Sequence, residues 1–184
     1  MLKLNSLSGF GSGGAGAVAA TYGYSCGGYD GTNKLLTADR ITFADGTIAA
    51  HTDADLSQVC SSIHEGVSDT TTYGYVGGGS TPGGPTPTWS KVVERITFST
   101  SVTAVNTDGD LDVPKRELTG MSDGTTYGYW HGGEGLSNTN IDTTDRVTFA
   151  DSTVAANTDS DLVTARSTHF SVSDGATYGY SGGG

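Results

Sequence analysis

The chain has 184 residues and a formal net charge of −11 at pH 7, because 20 Asp and Glu outnumber 9 Lys and Arg. The basic residues form no run, which excludes a protein that binds nucleic acid through clustered Lys and Arg. Leu, Ile, Val and Phe contribute only 33 residues, so we expect a thin core that Thr and Tyr, which suit strands, help to fill.

The first 20 residues form a Gly- and Ala-rich N-terminal arm, and the predicted folded domain is 21–184. The arm has no continuous apolar stretch, so we expect no secretory signal. No segment of the sequence approaches the roughly 20 apolar residues of a membrane helix, so we expect no membrane insertion.

A nine-residue phrase recurs four times, as ATYGYSCGG, TTYGYVGGG, TTYGYWHGG and ATYGYSGGG. Its first tyrosines follow one another at 51, 54 and 51 residues: Tyr22, Tyr73, Tyr127 and Tyr178. The phrases ADRITFAD, VERITFST and TDRVTFAD keep the same spacing, as do TDADL, TDGDL and TDSDL. Several anchors that recur together indicate a structural repeat. We divide the domain into units at about 21–69, 70–123 and 124–174 and a partial unit at 175–184.

Each unit has the pattern of short β-strands. ATYGY and RITF alternate larger with small or polar side chains, and Gly pairs and Asp-Gly mark the turns. The glycine between the two tyrosines indicates a place where another group approaches the backbone closely. Four strands in about fifty residues are typical of a propeller blade. The sequence therefore predicts an all-β fold of about three and a half four-stranded units.

Two stretches, LVTARSTHFSVSDGATYGYSGGG at 162–184 and VPKRELTGMSDGTTYGYWHGG at 113–133, resemble kelch-type β-propeller repeats. Both have an Arg-containing turn, a strand, an Asp-Gly hairpin and a strand that ends in Gly-Gly. The combination of TYGYxxGG with RxTF and TDxDL also resembles kelch-like repeats in tail or other virion proteins of bacteriophages, notably marine and cyanobacterial ones.

The phage resemblance implies a virion structural protein, assembled in the host cytoplasm, for example of the tail or its fibres. Its implied partners are other copies of itself, other virion proteins and a host surface glycan. Because propellers close with about four to eight blades, we expect the half-unit at 167–184 to complete a blade with another copy, so that the ring closes by oligomerisation. A lectin-like glycan-binding propeller is the alternative, and a kelch-type oxidase is a third.

Charged residues recur at fixed places in the units. Arg40, Arg95 and Arg146 each follow an acidic residue, and we expect them to tie adjacent units through carboxylates or carbonyls. Asp pairs in the TDxDL phrases favour turns, in which Asp accepts backbone N–H bonds. Asp108, Asp110 and Asp112 also alternate as in a calcium loop, so weak Ca²⁺ binding stays open, although the Gly and Glu of such a loop are missing. We expect no other cofactor.

Three aromatic residues lie in or beside the variable stretches that join the Gly pair to the RxTF phrase: Tyr29, Trp89 and Trp130. Variable loops on a rigid scaffold are common binding places, and aromatic rings stack on sugars, but the same rings also suit packing between units. The longest such loop, 77–91, contains three Pro and is expected to project from the edge of a unit.

The sequence offers no arrangement of catalytic residues. His51, His64, His131 and His169 occupy different positions in the units, and Cys26 and Cys60 form no disulfide framework. The copper site of kelch-type oxidases requires His ligands together with a Tyr cross-linked to Cys, and no His pair accompanies Cys26 here. We therefore expect a protein that is not an enzyme.

Overall fold

The computed structural model describes residues 21–58, 65–81 and 88–184. The fold is all-β, as predicted, and consists of several small antiparallel sheets. Helical structure in the described residues is confined to two single-turn 3-10 helices, Thr52–Ala54 and Thr158–Ser160. Within the same residues, no helix has the length and apolar character needed to cross a membrane.

The first two sheets follow the chain in simple meanders. The first has three strands in the order β1 (Tyr22–Tyr29), β2 (Lys34–Thr42) and β3 (Thr47–Ala50). The second has four strands, β4 (Glu65–Ser68), β5 (Tyr73–Gly77), β8 (Val93–Thr97) and β9 (Val102–Val105). A small hairpin of β6 (Ser80–Thr81) and β7 (Thr88–Trp89) lies between β5 and β8 in sequence.

The third sheet repeats the second. Its strands are β11 (Thr119–Ser122), β12 (Tyr127–His131), β15 (Thr144–Thr148) and β16 (Thr153–Ala156). A three-stranded sheet beside it contains β10 (Lys115–Arg116), β13 (Glu134–Gly135) and β14 (Thr139–Asn140). The last two strands, β17 (Phe170–Ser173) and β18 (Gly179–Gly182), pair only with each other within the described residues.

The strand register confirms that the repeated phrases are structurally equivalent. The second tyrosine of each phrase lies opposite the arginine of RxTF in all three larger sheets, in the pairs Tyr24↔Arg40, Tyr75↔Arg95 and Tyr129↔Arg146. The boundaries of the units differ from our prediction. The division at 69/70 falls in the turn between two strands of one sheet, so the structural unit begins at the VSD phrase.

The turn between the first two strands of a unit depends on one carboxylate. Asp69 Oδ1 accepts hydrogen bonds from the backbone N–H groups of Thr71, Thr72 and Tyr73, at 2.6–2.9 Å. Asp123 and Asp174 make the same three bonds in their own turns. We predicted Asp turn bonds at the TDxDL phrases, and the structure shows them at the VSD phrase, which the sequence analysis had not assigned to this role.

The largest hydrophobic cluster lies between the second and third sheets. Its buried members are Val67, Tyr75, Val93, Leu111, Leu118, Trp130, Val147 and Phe149. Trp130 is fully buried and donates its indole N–H to the carbonyl of Glu65 at 2.9 Å. The core therefore joins two units and is not contained within one.

The glycine between the tyrosines is required by close packing. At Gly74 an added Cβ would lie 3.1 Å from the ring of Phe98, and at Gly128 it would lie 2.5 Å from Cγ2 of Val67. Both distances are shorter than ordinary van der Waals contact, so the predicted close approach to the backbone is confirmed.

The Gly128→Ala variant should lose about 1–3 kcal/mol of unfolding free energy, because its methyl group overlaps the Val67 side chain in the core. Gly66→Ala is the matched control. Its added Cβ would lie no closer than 3.7 Å to any neighbour, and we expect a much smaller change. Urea unfolding followed by tyrosine and tryptophan fluorescence measures both variants. Equal losses would contradict the packing explanation.

Candidate functional site

Consecutive units are joined by the second tyrosine of the TYGY phrase. The hydroxyl of Tyr24 lies 2.6 Å from Oγ of Ser101 in the next unit, and that of Tyr75 lies 2.8 Å from Oγ of Ser152. Each tyrosine ring also stacks on the phenylalanine of the next RxTF phrase. The centroid distances are 6.0 Å for Tyr24 and Phe98 and 5.9 Å for Tyr75 and Phe149. The same contact is therefore made twice.

Two of the repeated arginines donate hydrogen bonds to the same serines that contact the tyrosine hydroxyls. Arg40 Nη1 donates to Ser101 Oγ at 3.3 Å, and Arg95 Nη1 donates to Ser152 Oγ at 3.0 Å. Each guanidinium also lies over the ring of the first tyrosine of its own unit. The distance from the guanidinium carbon to the ring centre is 4.2 Å for Arg40 and Tyr22, 4.7 Å for Arg95 and Tyr73, and 4.3 Å for Arg146 and Tyr127. Arg40 and Arg95 thus link adjacent units, but the acceptor is a serine hydroxyl and not the expected carboxylate or carbonyl.

The acidic residues before Arg95 and Arg146 contact the preceding unit. Glu94 accepts a hydrogen bond from the backbone N–H of Ser57 at 2.8 Å. Asp145 accepts one from the backbone N–H of Asp112 at 2.7 Å and forms an ion pair with Lys115 at 2.8 Å. The side chains of Lys115 and Asp145 are almost completely buried. A buried ion pair of this kind holds the two units in one relative position.

Replacement of Lys115 by Met should cost about 3–5 kcal/mol of unfolding free energy, because it leaves Asp145 buried without its counter-charge. The control is Lys91→Met. Lys91 is exposed and lies 3.8 Å from Asp110, so its loss should cost about 1 kcal/mol or less. Both values come from urea unfolding at pH 7. A loss for Lys115→Met no greater than that of the control would refute the structural role of the buried pair.

The last two strands expose side chains whose counterparts are buried elsewhere. Tyr180 is 62% exposed, whereas the equivalent Tyr75 is fully buried, and Tyr178 is 64% exposed. Beside them is a cleft of about 190 Å³ lined by Met121, Tyr129, Thr177, Tyr178 and Gly179, among others. We call β18 together with this cleft the β18 groove.

Two histidines lie next to the β18 groove. The rings of His131 and His169 are 5.5 Å apart, and His131 Nε2 is 3.0 Å from Oγ of Ser181. Burial lowers the pKa of His131 to about 4, and the nearby His169 and Lys115 add to the effect. Burial also lowers the pKa of His169. Both rings are thus favoured in the neutral form when the protein is folded.

The depressed pKa of His131 makes stability depend on pH. Unfolded His takes up a proton below about pH 6.5, whereas folded His131 does so only near pH 4. Between these values the unfolded state binds more protons, so stability falls as the pH is lowered from 6.5 to 4, by up to about 3 kcal/mol from this group. The free energy of unfolding should differ less between pH 7 and pH 4.5 in the His131→Gln variant than in the unchanged protein. An unchanged difference in His131→Gln would contradict the assignment.

The three candidate ligand-binding aromatics have different environments. Tyr29 is 62% exposed at the end of β1, where it pairs with Lys34, and the Nζ of Lys34 donates to Ser80 Oγ at 2.7 Å. Ser80 in turn pairs with Trp89, which is half-buried. Strand pairing and the Lys34–Ser80 hydrogen bond thus connect Tyr29 with Trp89, and we call these two residues the aromatic edge. Trp130 is fully buried, so its prediction as a ligand-binding residue is wrong.

Charged groups border Trp89 at the aromatic edge. The guanidinium of Arg116 lies 4.4 Å from the centre of the indole ring, and it donates to Glu134 Oε1 at 2.8 Å. An aromatic ring beside ionic hydrogen-bonding groups is a suitable arrangement for a sugar, which presents both apolar C–H faces and hydroxyl groups.

The predicted projecting loop at 77–91 lies partly outside the described residues, since 82–87 are not among them. Its base is not free to project, because Ser80 and Ser90 are buried and β6 pairs with β7. Residues 80 and 81 also accept hydrogen bonds from Lys34. A deletion of this loop that includes residue 80 would therefore disturb the sheets themselves.

Asp108, Asp110 and Asp112 are not arranged as a metal site. Asp110 faces Lys91, and no group of three or more His, Cys, Asp or Glu side chains in the described part of the chain is placed to hold a metal ion. In the equivalent phrases, Asp55 and Asp161 accept hydrogen bonds at 2.7 Å from the backbone N–H groups of Ala38 and Thr144. These two bonds each reach a backbone N–H that lies 17 residues earlier in the chain, so they tie the TDxDL phrase to a strand of its own sheet and are not the predicted bonds within a tight turn.

Cys26 has the properties of a structural thiol. Burial raises its pKa to about 12, and the carboxylates of Glu94, Asp55 and Asp39 add to the effect. A thiol with such a pKa is a poor nucleophile near neutral pH. Cys60 and His64 lie outside the described residues.

Neither a protein-family model nor a curated protein matches this sequence. The resemblance to kelch and bacteriophage repeats therefore rests on the repeated sequence motifs alone.

Proposed function

We propose that the protein is a non-enzymatic structural component of a bacteriophage virion, in the tail, its fibres or another surface part, built from kelch-like β-propeller blades. The supporting observation is that the first strands of successive units lie side by side. The hydroxyl groups of Ser171 and Ser173 in β17 donate to the carbonyls of Gly120 and Ser122 in β11, at 2.5 and 2.7 Å. Blades arranged around an axis bring their innermost strands together in this way.

Rigid coupling between units supports a structural role. The contacts between units include a buried ring with a bonded hydroxyl, Tyr75 with Ser152, and a buried ion pair, Lys115 with Asp145. A scaffold of this kind keeps surface residues in fixed positions, which suits assembly with other virion proteins and with other copies. The proposed localisation is the virion, assembled in the host cytoplasm.

The aromatic edge supports attachment to a host surface glycan as the task of this scaffold. The exposed ring of Tyr29 and the Trp89–Arg116 pair provide stacking and hydrogen-bonding groups on a rigid support. The same observation favours a second candidate, a lectin-like module that has no connection with a virus.

Electron microscopy with gold-labelled antibodies against residues 21–184 tests the viral role. We expect the label at one fixed part of phage particles, the tail or its fibres, when particles are purified from a culture that makes the protein. Label found only outside particles would refute the virion role and favour the lectin-like alternative.

A glycan array tests the attachment role separately. The Trp89→Ala variant should bind at least tenfold more weakly than the unchanged protein to whichever glycan the protein retains, because it removes the stacking ring. Val102→Ala, an exposed residue on β9, is the control and should bind normally. Equal binding by both variants would exclude the aromatic edge.

A further inference from the structure

The segment that leads into β17 packs against the third sheet in the way that the third sheet packs against the second. A Cβ added to Gly78 would lie 2.5 Å from Cδ2 of Leu118. A Cβ added to the equivalent Gly132 would lie 2.7 Å from Cε1 of His169. His169 therefore takes the place that Leu118, a fully buried member of the main core, has between the second and third sheets.

A second position at this contact also differs between the two pairs of units. The residue before Gly78 is Gly77, whereas the residue before Gly132 is His131. His131 is 4% exposed, and its ring centre lies 5.5 Å from that of His169. Two imidazole rings thus lie where the preceding pair of units has glycine and leucine. We call the contact between His131 and His169 the histidine joint.

We propose that the histidine joint is a pH-sensitive contact, closed when both rings are neutral and opened when they take up protons. Opening separates β17 and β18 from the third sheet, while the contact between the second and third sheets stays closed. The inference rests on residues inside the chain and is independent of the viral role proposed above.

The closed joint accommodates the neutral form of His169. Its ring nitrogens Nδ1 and Nε2 are both buried, and neither has a hydrogen-bond partner within the described residues. A neutral imidazole has one N–H donor, whereas a protonated one has two and carries a charge. A buried charged donor without a partner costs more free energy than a neutral one, so protonation favours an open joint in which water reaches the ring.

Positive charges lie close to both rings of the joint. Burial lowers the pKa of His131 to about 4, and His169 and Lys115 lower it further. Burial also lowers the pKa of His169, and Arg166 adds to the effect. A proton on either ring therefore meets a like charge, and protons on both rings repel each other across the joint.

The carboxylates on the elements around the joint do not compensate these charges. Neither histidine ring forms an ion pair with a carboxylate of the described residues. Four carboxylates lie on these elements: Asp145 pairs with Lys115 at 2.8 Å, Asp161 accepts from the backbone N–H of Thr144 at 2.7 Å, Glu117 lies 3.8 Å from Arg116, and Asp142 is exposed.

The contact between the second and third sheets has other sources of stability. Glycine and leucine at the two equivalent positions do not titrate, and the main core and the Lys115–Asp145 pair join the same two sheets. Between β17 and β11, by contrast, the hydroxyl groups of Ser171 and Ser173 donate to backbone carbonyls. Protonation of the two histidines thus acts on the contact of β17 and β18 with the third sheet.

Hydrogen exchange of the 184-residue chain at pH 7 and pH 5 tests the proposal. Because a separated hairpin is only marginally stable, opening of the joint exposes the β17 and β18 amides to exchange. His131 alone should reduce their protection about twentyfold at pH 5, since its pKa rises from about 4 to about 6.5 when the joint opens. The protection of β5 and β8 should fall about threefold or less.

Two double variants remove the titration. His131→Gly with His169→Leu copies the residues of the contact between the second and third sheets and should keep equal protection of β17 and β18 at both pH values. His131→Gln with His169→Gln retains polar side chains and should do the same if the first variant does not fold. NMR titration of the imidazole protons in the unchanged chain should show that both rings titrate below the ordinary range of His.

Four outcomes would overturn the proposal. They are unchanged protection of β17 and β18 at pH 5, an equal loss of protection in β5 and β8, a full loss of protection in a folded double variant, and titration of both rings near the ordinary pKa of about 6.5.

Discussion

The contact that the structure depends on is made by a tyrosine reaching from one unit to the next. The ring of Tyr75 stacks on Phe149, and its hydroxyl bonds Ser152, which also accepts from Arg95. In a chain with few large aliphatic residues, one aromatic side chain supplies much of the apolar area that a Leu or Ile pair would otherwise provide. Its polar tip needs a partner once buried, and the serine hydroxyl supplies it.

This tyrosine contact imposes constraints on the neighbouring residues. The phenylalanine that receives the ring must lie close to the sheet, so the residue beneath Phe98 is Gly74. The serine that receives the hydroxyl lies in the turn after RxTF, with a left-handed backbone (φ 56° at Ser101 and 61° at Ser152), where Gly46 stands in the first unit. The recurrence of TYGY and RxTF is thus explained by a single mode of packing between units and not by separate functions of each phrase.

Much of this arrangement could be predicted from the sequence, because a repeat shows its own equivalences. The strands and the close approach at the central glycine follow from local patterns, whereas the Asp turns were predicted at the TDxDL phrases and occur at the VSD phrases. For Trp130 the sequence left ligand binding and packing between units both open. The alternation of strand β12 favours packing, since Trp130 lies on the same face as Gly128 and opposite to Tyr127 and Tyr129. The partners of Tyr75 and Lys115 lie 77 and 30 residues away along the chain, and no local pattern marks a contact at such distances.

The burial pattern also has consequences for dynamics. In a repeat array each unit is stabilised mainly by its neighbours, so a unit with two complete neighbours is more stable than one at an edge of the array. The second and third sheets share the main core and the Lys115–Asp145 pair, whereas β17 and β18 expose Phe170, Val172, Tyr178 and Tyr180. Within the described residues, the second and third sheets are therefore the part of the chain in which local opening requires the most free energy.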